Sequence, residues 1–118
     1  MDFEFVDSSP VPSGNYRAEF LGAEPMKPND YGTSARFTFR VLKGEHAERT
    51  TSCLASIDRP PSARNKLGKI LGGLAGKAIE AGEKLNSDDF VGQEYLIAVV
   101  ENKNGNTSVD TILPADVG

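Results

Sequence analysis

Cysteine and histidine each occur once in these 118 residues, and tryptophan does not occur. A lone cysteine, Cys53, cannot close an internal disulfide. One histidine, His46, and one cysteine leave no nucleophile–base pair and no ligand set for zinc beyond scattered carboxylates. No apolar run approaches the roughly 20 residues of a membrane helix. The leading MDFEFVDSSP has no basic-then-apolar signal region either. These absences predict a cytoplasmic protein that is not an enzyme, holds no metal or cofactor and has no membrane attachment.

Two further motifs are ruled out on inspection. GGLAGKAI suggests a phosphate loop, but Leu71 stands where the first glycine belongs and Ala78 where Ser or Thr belongs. Adjacent carboxylates such as Asp88 and Asp89 diverge, and within NSDDF they are expected to cap or solvate a turn.

What is present is an uneven charge. The net charge is −4, yet residues 1–26 carry five acids and one base, residues 27–77 ten bases and four acids, and residues 78–118 eight acids and two bases. A basic middle third lies between acidic ends. Local charge, more than the total, decides where a polyanion docks.

Residues 1–13 read as an N-terminal arm, with Phe3 and Phe5 alternating with acids ahead of SSPVPS. From Gly14 onward the chain reads as a single domain, 14–118. In NYRAEFLGA, Tyr16, Ala18, Phe20 and Gly22 share one face of a strand, with Arg17, Glu19 and Leu21 on the other. EPMKPNDYGTS is a connection rich in Pro, Asn, Asp and Gly. ARFTFRVL alternates again, with Phe37, Phe39 and Val41 inward. After a turn around Gly44, RTTSCLASI is a third strand with Thr51, Cys53, Ala55 and Ile57 as its inner set. Pro60 and Pro61 stop the sheet, and Ser62 can cap a helix. Leu67, Ile70, Leu71 and Leu74 form one helical stripe, expected to end or bend near Gly72-Gly73. A loop leads to QEYLIAVVEN, and KNGN, the strongest hairpin signal in the chain, turns it into TSVDTILP.

The expected class is therefore mainly β with one helix, in the order β-β-β-α-β-β. That order suits a five-stranded OB-like Greek-key barrel with the helix plugging one end. An open α+β sheet with the helix on one face is the structural alternative.

An OB-type barrel binds single strands across its second and third strands, flanked by the first and last connections. Such a site needs cations to track phosphates and flat side chains to stack on bases. Lys27 and Tyr31 fall in the first connection, Arg36 and Arg40 on the outward face of the second strand, Lys43 and Arg49 around the following turn, and Lys103 in the last hairpin. Tyr31, in a Pro/Asn/Gly loop, has little core to enter and is the expected stacking residue. The same residues also suit an ordinary solvated strand face.

These segments resemble small phage-encoded proteins regarded as single-stranded-DNA-binding proteins of OB type, several known only as domains of unknown function. The resemblance lies in VPSGNYRAEFLGAE, in ARFTFRVLKGEHAERT, in the leucine-spaced helix and in DDFVGQEYLIAVVENKNGNTSV, and it covers most of the chain. It implies a non-enzymatic protein working beside phage replication or recombination proteins in the host cytoplasm. An alternative function is a protein-interaction or structural module, such as a virion accessory protein or an inhibitor of a host enzyme. That module would use an acidic surface with Phe3 and Phe5 as its anchor. Homo-oligomers could form through an edge strand or the arm.

Overall fold

Strict alternation along ARFTFRV sets the pattern of the whole sheet. The computed structural model describes residues 1–2, 11–30, 32–62 and 64–115. Its elements are β1 (Gly14–Pro25), β2 (Ser34–Val41), β3 (Thr50–Ser56), α1 (Lys66–Ala75), β4 (Glu94–Glu101) and β5 (Thr107–Pro114), with a single 3-10 turn at Ser87–Phe90. The class is mainly β with one helix, in the expected order.

All five strands form one antiparallel sheet in the order β3-β2-β1-β4-β5. β1 is central because it is long. Its first half, Gly14–Glu19, pairs with β4, and its second half, Ala18–Pro25, pairs with β2. The register slips between Phe20 and Gly22, so Leu21 is an extra residue in a bulge. The edge strands β3 and β5 come within 8 Å of each other, Cα to Cα, without a hydrogen-bonded ladder, so the sheet is not closed.

Every second residue of β2 is buried: Ala35, Phe37, Phe39 and Val41. They meet Ala18 and Phe20 of β1, Cys53 and Ala55 of β3, Tyr95, Ile97 and Val99 of β4, and Leu67, Ile70, Leu71 and Leu74 of α1. Phe20 and Phe39 lie 5.3 Å apart between ring centroids, and Tyr95 meets Phe39 edge-on at 6.4 Å. Such pairs add to the burial term through their quadrupoles. The Tyr95 hydroxyl, deep in this core, donates to the Leu74 carbonyl at 2.6 Å and so ties β4 to the end of α1.

Three local expectations are corrected. Ile57 lies one residue beyond the end of β3 and is 37% exposed, although its N–H still donates to the Thr33 carbonyl at 3.0 Å in the register of the β2–β3 ladder. The helix is capped by Asn65, not Ser62. Asn65 Oδ1 accepts from Gly68 N at 2.8 Å and from Ser62 N at 3.1 Å. The Ser62 backbone folds against Gly68 so closely that a Cβ there would collide with it. Nor does the helix end at Gly72-Gly73. It runs on to Ala75 because Gly73 lets the backbone of β5 approach, where a Cβ would sit 2.6 Å from the Ile112 carbonyl. Gly76, at φ +74°, is the residue that ends it.

The Asn-Gly hairpin between β4 and β5 forms, with Asn102 Oδ1 accepting from the N–H groups of Asn104 and Asn106. Phe3 and Phe5 of the expected arm lie outside the described residues. Val11 is fully buried in the core, and the Tyr16 hydroxyl donates to the Pro12 carbonyl at 2.7 Å.

Candidate nucleic-acid interface

The outward positions of β2 are Ser34, Arg36, Thr38 and Arg40, the last three flanked on both sides by a ladder partner. Arg36 sits between Glu24 of β1 and Leu54 of β3, Thr38 between Gly22 and Ser52, and Arg40 between Glu19 and Thr50. The two arginines are four residue steps apart along the strand, about 13 Å at the usual rise. Between them the face is small and polar, with exposed leucines beside it: Leu21 at 38% and Leu54 at 46%.

The two arginines differ in their surroundings. Arg40 pairs with Glu19 across the ladder, and its Nη1 lies 3.8 Å from Glu48. Arg36 makes no ion pair among the described residues, although Glu24 is its ladder neighbour. On the β4 side of the face, Arg17 pairs with Glu94 at 3.2 Å and donates to the Ala115 carbonyl at 3.3 Å. The face is thus a mixed array, in which part of the cationic charge is already met by carboxylates.

The remaining expected contacts are spread along the sheet. Lys43 is exposed just past the Val41 end of β2. Arg49 lies beside that end, its N–H1 group 3.0 Å from His46 Nδ1, and His46 in turn sits edge-on to Tyr16 at 6.0 Å. Lys103 is exposed in the β4–β5 turn, which by register lies beyond the Gly14 end of β1. Lys27 is exposed at the opposite end, in the connection leaving β1 at Pro25. Tyr31 lies outside the described residues. Arg36 and Arg40 therefore share one face, Lys43 and Arg49 extend it at the Arg40 end, and Lys27 lies at the Arg36 end.

Sequence reasoning missed Glu19, Glu24 and Glu48 as members of this surface, along with Leu21 and Leu54. Alternation does put Glu19 on the outward side of β1. Which rung of β2 it faces depends on the bulge, which no local pattern announces.

The thiol of Cys53, on the inner face of β3, is pushed up to about 11 by burial, with Lys66 opposing part of the rise. A thiol so placed is a packing group and not a nucleophile at neutral pH. Among the described residues no cluster of His, Cys, Asp and Glu could hold a metal ion, and no helix is long and apolar enough to cross a membrane. A cavity of 730 Å³ lies away from the basic face, between α1, residues 77–83 and the end of β5. Its wall is mainly glycine and aliphatic carbon, and its Lys77 is already paired with Glu83 at 3.3 Å.

No protein-family model matches this chain, and no curated protein is similar to it beyond chance.

Proposed function

We propose that this chain is a non-enzymatic, sequence-tolerant single-stranded-DNA-binding protein, built as an OB-like Greek-key barrel and acting in phage DNA replication or recombination in the host cytoplasm. The observation that carries the reading is the outward face of β2, where Arg36 and Arg40 flank a small polar floor bordered by exposed leucines. Phosphates need the cations, and bases need uncharged surface beside them.

The architecture supports the reading. An OB barrel is partly open, and its second and third strands form the binding face. A central β1 shared between β2 and β4, a helix between β3 and β4, and the approach of β3 to β5 all suit that topology. The resemblance to phage single-strand binders agrees with it. Lys27, Lys43, Arg49 and Lys103 would track phosphates beyond β2, and Tyr31 would stack on a base.

Fluorescence anisotropy with labelled oligo-dT tests the proposal. If Lys27, Arg36, Arg40, Lys43, Arg49 and Lys103 each meet a phosphate, log K falls with log salt at a slope of about −4.2, and each alanine variant lowers the slope by about 0.7. No binding at low salt and micromolar protein would sink the reading.

A protein-interaction module is the second reading, favoured by one observation. Leu96 and Leu113 face each other across β4 and β5, and both are exposed. Loss of a bound partner in Leu96→Lys, with DNA affinity intact, would favour it.

A further inference from the structure

The bulge in β1 opens a depression in the middle of the candidate face. Phe20 pairs with Phe39 and Gly22 with Thr38, which leaves Leu21 without a β2 partner. Gly22, which strict alternation puts on the inner face with Tyr16, Ala18 and Phe20, is moved by the bulge to the outward position of its rung, opposite Thr38, and fills none of the space above it. A Cβ there would meet only Val91, at 4.0 Å. The resulting cavity is 280 Å³, lined by Leu21, Gly22, Ala23, Glu24 and Thr38. That is just below the usual range of small-molecule pockets, roughly 300 Å³ upward, and it leaves room for one flat ring system. Bulges gather beside functional sites because they redirect side chains and interrupt pairing.

The polar groups at its rim are selective. Thr38 can donate or accept, whereas an ionised Glu24 only accepts. Glu19 and Glu48 are held by Arg40, and Glu94 by Arg17. Glu24 alone of these four makes no ion pair or hydrogen bond among the described residues. An unpartnered carboxylate on a phosphate-binding face repels every sequence alike, unless a base brings donors to it. Specific interfaces use such repulsive groups to discriminate. Guanine meets the requirement best, because its N1–H and N2–H2 groups lie side by side and match the two carboxylate oxygens. Thymine offers a single N–H between two carbonyls, which the same carboxylate would oppose.

Building on the single-stranded-DNA reading, we propose that this depression is a base subsite that prefers guanine. Glu24 accepts from N1–H and N2–H2, Thr38 offers its hydroxyl to the base edge, and Leu21 lies against the ring. Arg36 and Arg40 hold the backbone on either side. The preference belongs to one nucleotide of the bound stretch, and the others are held without regard to sequence.

The test compares three labelled oligomers of about 16 nucleotides, within the span of one OB domain. One is dT throughout, one carries isolated dG residues, and one carries deoxyinosine at those positions and so lacks the N2 amine. The dG oligomer is expected to bind about tenfold tighter than dT, with deoxyinosine losing most of that gain. Glu24→Gln, at an exposed position, should keep its melting temperature and lose the dG advantage. Thr38→Val should reduce it. Equal affinity of the unaltered protein for dG and dT oligomers overturns the subsite but leaves single-strand binding standing. No binding to any of the three overturns both.

Discussion

Arg36 and Arg40 look equivalent in the sequence and are not equivalent in the fold. Arg40 meets Glu19 across the ladder and Glu48 from the turn before β3, whereas Arg36 makes no salt bridge among the described residues. If the face binds a polyanion, Glu19 competes with phosphate for Arg40. Glu19→Gln should then raise affinity for oligo-dT about two- to fivefold at low salt, the range of a partly exposed ion pair. The comparison is made by anisotropy, and a drop in affinity would mean that Glu19 orients Arg40 instead. Cys53 yields a second prediction. Burial raises its thiol from 9.0 to about 11, so the folded state holds that proton more tightly than the unfolded chain. The resulting stability is complete below pH 9 and is lost as pH rises toward 11, a loss of roughly 2–3 kcal/mol. Tyr95 is also raised by burial and acts in the same direction. Urea midpoints measured from pH 8 upward should fall through this window, and should fall less in Cys53→Ala.

At the scale of elements, α1 shows what was legible and what was not. Its apolar stripe was plain, since Leu67, Ile70, Leu71 and Leu74 follow helical spacing and all are buried. Its ends were not. Ser62 and Asn65 are both good cap residues, and the choice fell to Asn65 because the Ser62 backbone is pressed against Gly68. Gly72 and Gly73 look like a stop in one dimension, but they are where β5 and the turn after the helix come close. Asn65→Ala should cost about 0.5–2 kcal/mol. Gly73→Ala should destabilise as well, despite alanine's better helix propensity, because its methyl meets the Ile112 carbonyl. Thermal melts of the two variants check both, and a stabilised Gly73→Ala would show that β5 gives way easily.

At the scale of the whole molecule, one aromatic group joins the two halves of the sheet. Phe20 on β1, Phe39 on β2 and Tyr95 on β4 touch in the core, and the Tyr95 hydroxyl carries the connection into α1. Phe39→Ala should cost about 3–5 kcal/mol, read from denaturant midpoints. A cost below about 1 kcal/mol would mean that the core can collapse into the space. The same assembly positions the candidate face, because the inward aromatics of β2 set the direction in which Arg36, Thr38 and Arg40 point.

By itself, the sequence determined the number and type of elements and most of the inner faces. Those depend on local periodicity, and a period of two or of 3.6 residues is written in the chain. It also determined the composition of the outward face of β2. Only the tertiary structure decided which charges neutralise one another, where the helix starts and stops, and where a depression opens between Arg36 and Arg40. Each of these depends on register between strands distant in sequence, or on two backbones approaching at a glycine. One bulged residue, Leu21, shifts that register by a rung, and nothing local to EFLGAEP reveals the partner against which it is counted.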